Sequence, residues 1–222
     1  MQRLGHRDTQ ALGDELLRIR VSQWDGTMLG AMHKLSILLV LLATVLPVRL
    51  QRGSPASLDG HESGALYAND FFEFRFKLPA GWVEAPAQMK EGVLKSLNAS
   101  APKADNHVLL MLLHPVRGES LPDVIAVFAA RSSIGSTDGA AGGVAYFRSN
   151  RASERLTVIA PVRIVHLAGQ RFARQDVQSK GQFLALFASV KAGYLLSFQA
   201  FAATKDRMDG AVKVLAASVQ FK

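Results

Sequence analysis

Four stretches of this chain are apolar at odd and even positions alike: Val108-Leu-Leu-Met-Leu-Leu113, Val124-Ile-Ala-Val-Phe-Ala129, the run QFLALFASV over 182–190, and YLLSFQAFA within 194–203. Successive side chains of a strand point to opposite faces, so a strand that is apolar on both faces is buried on both. A sheet built from such strands needs one layer above it and one below. Turn signals at Gly169-Gln170, Lys180-Gly181 and Ala192-Gly193 divide the second half into strands 162–167, 171–178, 182–190 and 194–203. Loops this short join antiparallel neighbours, and the last two strands belong in the middle of the sheet.

The covering layers are legible as changes of period. Between Pro86 and Leu97, Met89, Val93, Leu94 and Leu97 share one helical face, while Lys90, Glu91 and Lys95 lie opposite. The glycine-rich stretch Gly135 to Gly143 leads into a second helix at Val144-Ala-Tyr-Phe-Arg148. A third carries Met208, Ala211, Val212 and Leu215 behind Thr204 and Asp206 as caps. At the front, Phe72, Phe74, Phe76 and Leu78 alternate with Glu73, Arg75 and Lys77. That pattern predicts a half-buried strand near a sheet edge, ended by Pro79-Ala-Gly-Trp82.

Ahead of all this, Leu35 to Leu46 is a twelve-residue run without charge, preceded by His33 and Lys34. Extended through Val48 it reaches fourteen residues, short of the roughly 17 to 25 that a spanning helix requires. It therefore reads as a signal peptide over 32–56, with cleavage after Ala56. Arg49 and Arg52 make a membrane anchor the alternative. Residues 1–31 read as a non-native or disordered extension, with Met28 or Met32 as the natural start, and the polar stretch 57–65 reads as a linker to a domain over 66–222. Removing 1–56 leaves 166 residues with 19 Lys and Arg against 14 Asp and Glu, a net charge of +5. The cations are scattered among acids rather than gathered into runs, which excludes nucleic acid as the expected partner. The absence of cysteine excludes disulfides, thiolate zinc, a cysteine nucleophile and a lipidated N-terminal cysteine.

The order of elements resembles the PsbP-like family. The residues that carry the likeness are Tyr67, Asn69, Phe74, Phe76, Leu78-Pro79 and Gly81-Trp82 at the front, and Gly193-Tyr194, Phe198, Ala200 and the helix Asp206 to Ser218 at the back. The likeness covers most of 66–222. It implies an α+β fold, an α/β/α sandwich around a mostly antiparallel sheet. Members include extrinsic photosystem subunits, a nuclear import factor that binds a small GTPase, and many exported bacterial proteins; most dock on larger assemblies and few are catalysts. The family has no shared active-site motif, so no functional residue is carried over. The missing lipid-attachment cysteine departs from many bacterial relatives and argues against lipid tethering.

The search for chemistry is mostly negative. No G-x-S-x-G, P-loop, H-E-x-x-H or EF-hand pattern occurs, and no catalytic residue, metal ligand or cofactor is expected. Ser100-Ala-Pro-Lys103 has the spacing of a serine–lysine pair but lies in a proline-containing loop without companion motifs. His107 and His114 are seven residues apart on one strand, a separation that points them to opposite faces. His166 reads as a core or sheet-surface histidine, and His61 falls in the linker. Gly139-Ala-Ala-Gly-Gly143 can cradle an anion at a helix start, but close helix packing is the stronger reading. Arg148, Arg151 and Arg155 recur at i, i+3 and i+7 as a basic stripe, the one surface feature with a partner class: an acidic protein or an anionic membrane surface.

Two readings follow. The first is a non-catalytic exported protein, periplasmic or secreted, that presents a sheet edge or helix face to a larger assembly. The second is a small-molecule or lipid-binding module, open to enzymatic use, with a pocket between the sheet and a helix layer.

Overall fold

A computed structural model describes residues 58–100, 105–134, 138–149 and 156–222. The expected signal peptide over 32–56 and the extension over 1–31 lie outside these residues, as do most of Ser100–Lys103 and two of the three stripe arginines, Arg151 and Arg155. Among the described residues, eleven strands form two sheets with antiparallel pairing. The larger has seven strands in the order β4 (Val83–Glu84), β5 (Asn106–His114), β6 (Asp123–Arg131), β10 (Tyr194–Ala202), β9 (Gln182–Lys191), β8 (Gln170–Ser179), β7 (Thr157–Leu167). The smaller has four, β1 (His61–Ser63), β2 (Leu66–Asn69), β3 (Phe74–Lys77) and β11 (Val219–Phe221).

The two-sided strands behave as their composition requires. Along β6, Ile125, Val127 and Ala129 enter one core, while Val124, Ala126 and Phe128 enter the other. On the second face lie α1 (Ala87–Ser100), packed over β5, and α2 (Gly139–Ser149), packed over β7, β8 and β9. The first face is covered by α3 (Lys205–Ser218), which crosses β6, β10 and β9, and by the small sheet. The α+β sandwich expected from the sequence is present, with one addition: one of its layers is shared between a helix and a second sheet.

Three hairpins organise the second half. Ala168-Gly169, Lys180-Gly181 and Ala192-Gly193 each place two consecutive residues at positive φ, from 48° to 83°. Two residues in that region form the turn whose twist matches flanking antiparallel strands, and glycine occupies the second position each time because it has no Cβ to clash. The strand pairs close on Leu167↔Gln170, Ser179↔Gln182 and Lys191↔Tyr194.

Two expectations are corrected. The aromatic strand does not edge the main sheet; β3 lies between β2 and β11 in the small sheet, with Phe74 and Phe76 buried and Arg75 and Lys77 exposed. Period-2 alternation records which face is buried but not which sheet the strand joins. The polar stretch read as a linker is part of the fold from Leu58 onward: Leu58 is buried, β1 pairs with β2, and Asn69 Nδ2 donates to the Leu58 carbonyl at 2.9 Å. Small polar residues there serve close contact, since a Cβ on Gly60 would fall 2.3 Å from the Tyr67 ring.

Candidate docking surface

α2 begins on Asp138, whose Oδ1 accepts from the Ala140 amide at 3.0 Å and whose carbonyl accepts from Gly142. A carboxylate at the helix start satisfies the orphan donors and the positive dipole end that an external anion would need. The glycines face the sheet. A Cβ on Gly139 would lie 2.5 Å from the Val190 carbonyl oxygen, and one on Gly143 2.2 Å from that of Ala188. Close packing, not an anion cradle, accounts for this segment.

This approach sets α2 beside the long edge strand β7 and leaves Arg148 exposed in its last turn. Among the described residues Arg148 forms no ion pair. Asp138 pairs with Arg171 at 3.2 Å. Only Leu156 separates Arg155 from Thr157 at the start of β7, so the stripe and this edge are neighbours along the chain. On β7, Val158 is 51% exposed and Ile164 45%. Their partners Val177 and Ala173 belong to the core beneath α2, so both apolar side chains stand on the α2 face. Two register shifts and Pro161 interrupt the pairing of β7 with β8, a common device against edge-to-edge aggregation. The edge therefore offers side chains rather than a free backbone ladder.

The histidines take other places. His166 is exposed on the sheet surface, and His61 lies on β1. His107 and His114 share a face, contrary to the odd spacing between them. A bulge between Val108 and Leu110 inserts one residue and resets the alternation, so that Leu109 and Leu110 enter the same core. His107 meets the Tyr194 ring and His114 stacks on Trp82 with centroids 5.3 Å apart, both against that core. They sit near opposite ends of the strand and share no ligand; no metal-binding cluster of three such side chains occurs among the described residues.

Several polar clusters join residues far apart in the chain. The buried carboxylate of Asp123 accepts from Arg207 Nε at 3.0 Å, with Nη2 2.7 Å away, while His114 Nδ1 stands 3.5 Å off. Arg207, not the histidine, holds the carboxylate, and the arrangement fastens α3 to β6. At the other end of these strands, the Tyr194 hydroxyl donates to Asp105 at 3.0 Å and accepts from Arg131 at 2.9 Å. Burial, reinforced by that hydrogen bond to Asp105, pushes its ionisation upward and keeps it a neutral donor. Where the two sheets meet, Glu62 hydrogen-bonds to Glu84, which also accepts from Lys90. That hydrogen bond, then burial and the charge of Glu84, raise the Glu62 carboxyl, while Lys90 opposes them. Both acids border a cleft of about 30 Å³ lined by Tyr67, Phe76, Leu110 and Leu112, with room for water rather than a drug-sized ligand. The sequence offered no signal for these pairings, because each joins separate elements and each residue alone is an ordinary charged side chain.

No family model and no curated protein matches the chain. Among solved structures it is similar to the solution structure of cyanobacterial PsbP (CyanoP) from Synechocystis sp. PCC 6803, at 15% identity over 78% of this chain and 98% of that one, with a TM-score of 0.43. It is also similar to the crystal structure of LpqN, involved in cell envelope biogenesis of Mycobacterium tuberculosis, at 12% identity over 67% of this chain and 83% of that one, with a TM-score of 0.42. At this level of similarity nothing about activity, ligand or partner follows from either likeness.

Proposed function

We propose that this chain is a non-catalytic exported docking protein that binds an acidic protein surface through the β7 edge and the basic segment before it. The observation that carries the reading is the exposure of Val158 and Ile164 on a long edge strand beside Arg148. Apolar anchors beside an exposed cation suit a partner that offers apolar contact within an acidic rim. Export rests on the charge-free run Leu35–Leu46 behind His33 and Lys34.

A photo-crosslinking residue placed at Val158 or Ile164 in cells of the native host tests this. A discrete protein adduct is expected, and it should disappear when Arg148, Arg151 and Arg155 are all replaced by Glu while the melting temperature is unchanged. Raising salt from 0.1 M to 1 M shortens the screening length from about 10 Å to about 3 Å and should weaken the same adduct. Crosslinking to anionic lipid alone would replace the protein partner by a membrane surface, and no adduct at either position would overturn the reading. A large loss of stability in the triple variant would mean that the arginines are structural.

A further inference from the structure

β1 and β4 are edge strands of different sheets, and side chains rather than a backbone ladder close the seam between them. Register sends one carboxyl from each strand into that seam. Glu62 is paired with Tyr67 and Glu84 with Leu112, and the side chains of a cross-strand pair share a face. Tyr67 and Leu112 both line the cleft between the sheets, so Glu62 and Glu84 reach it from opposite sides and hydrogen-bond to each other. The turn Gly64-Ala65 and the half-exposed Leu66 complete the wall on the side of the small sheet.

Two carboxylates have no hydrogen to share, so this bond requires one proton. Lys90 of α1 donates to Glu84, which makes Glu84 the carboxylate and Glu62 the acid. The charged groups that act on Glu62 are those two, Glu84 from β4 and Lys90 from α1. β2, β3 and β5 present Tyr67, Phe76, Leu110 and Leu112 to the cleft, and burial keeps the Tyr67 hydroxyl neutral. Asp59, ahead of β1, acts on that hydroxyl as Glu62 does. His61 and Lys77 alternate with Glu62 and Phe76, so they project from the other face of the small sheet.

When Glu62 loses its proton, two adjacent carboxylates face one ammonium, and the repulsion falls on the weaker element. β1 is three residues long, exposed throughout and paired with β2. The chain before it is tied down where Asn69 donates to the Leu58 carbonyl, whereas Gly64 turns at a φ of 60° with nothing within 4 Å of the position a Cβ would take. We propose that the proton between Glu62 and Glu84 is a latch, which holds the β1–β2 turn over the cleft in acid and releases it toward neutral pH, so that Tyr67, Leu110 and Leu112 become accessible. A group that binds its proton more tightly in the folded state stabilises the closed form fully below the ordinary glutamate value of about 4.3, and that contribution is lost as pH rises through the higher folded value. The latch lies apart from the β7 edge, and neither the arginine variants nor the crosslinking outcome bears on it.

Carbon-13 NMR of the full-length chain from about pH 3 to about pH 8 tests this, because the range spans the ordinary glutamate value. The Glu62 carboxyl should titrate above that value, and the methyl signals of Leu66, Leu110 and Leu112 should shift with the same midpoint. An uncharged gadolinium chelate should broaden those methyls only above the midpoint, while Leu184, in the core on the other face of the main sheet, stays unaffected. Glu62→Gln keeps a donor for Glu84 but cannot ionise, and should leave the cleft methyls flat and protected across the whole range. Lys90→Met removes the cation that opposes proton uptake and should move the midpoint to higher pH. Should either variant fold poorly, the titration and broadening of the wild-type chain carry the test. A Glu62 carboxyl that titrates at the ordinary value, methyls that shift without any gain in broadening, or a transition that persists unchanged in Glu62→Gln would each overturn the proposal.

Discussion

Trp82 follows Gly81, whose φ of 81° turns the chain back over the sheet, and its ring is 7% exposed. Burial of a side chain this large means that Trp82→Ala should cost about 3 to 5 kcal/mol in denaturant unfolding. A variant that melts like the parent would make the ring a surface contact. Asp176 shows the electrostatic counterpart. Burial alone would raise its carboxyl, but hydrogen bonds from Arg174 at 2.7 Å and Arg163 at 2.8 Å, together with their charges, hold it below the usual carboxylate range. A depressed folded-state value means that the stabilisation is complete above the unfolded pKa of about 3.9 and is lost as pH falls through the lower folded value. Asp176→Asn should therefore lose about 1 to 3 kcal/mol at neutral pH, discounted for the partial exposure of Arg163, and should flatten the decline in stability below about pH 4. Parallel pH profiles for the two proteins would show that the two arginines do not control this carboxylate.

At the scale of the element, the helical glycines divide by what they face. Gly143 lies on the Ala188 carbonyl, and backbone cannot step aside, so Gly143→Ala should lift α2 and cost about 1 to 3 kcal/mol. Gly210, in α3, has nothing within 4 Å of the position a Cβ would take. Gly210→Ala should instead stabilise by about 0.5 to 1 kcal/mol, the ordinary difference in helix propensity. Opposite signs for the same substitution are the test, read as shifts of the urea midpoint. The helices themselves are legible in the sequence: the face of Met89, Val93 and Leu97 is the buried face of α1, and Thr204 caps α3 by accepting from the Arg207 amide at 3.3 Å. Their packing distance is not legible, because glycine spacing alone does not say whether a sheet or solvent lies opposite.

For the whole molecule, the charge-free run at Leu35–Leu46 leads us to expect a mature chain that lacks residues 1–56. The intact mass of protein from the native host decides this; a species that still begins near Met1 or Met32 would mean that the segment is retained. No helix among the described residues is long and apolar enough to cross a membrane. The sequence by itself determined the sandwich, because strands apolar on both faces must be covered on both, and it determined the hairpin order, because two-residue turns allow only antiparallel neighbours. Tertiary structure alone decided where β3 pairs, since alternation is blind to the identity of a neighbour, and on which face His107 lies, since one bulged residue inverts the count. It also decided which charges meet: Asp123 and Arg207 stand 84 positions apart, and only the crossing of α3 over β6 brings them within 3.0 Å.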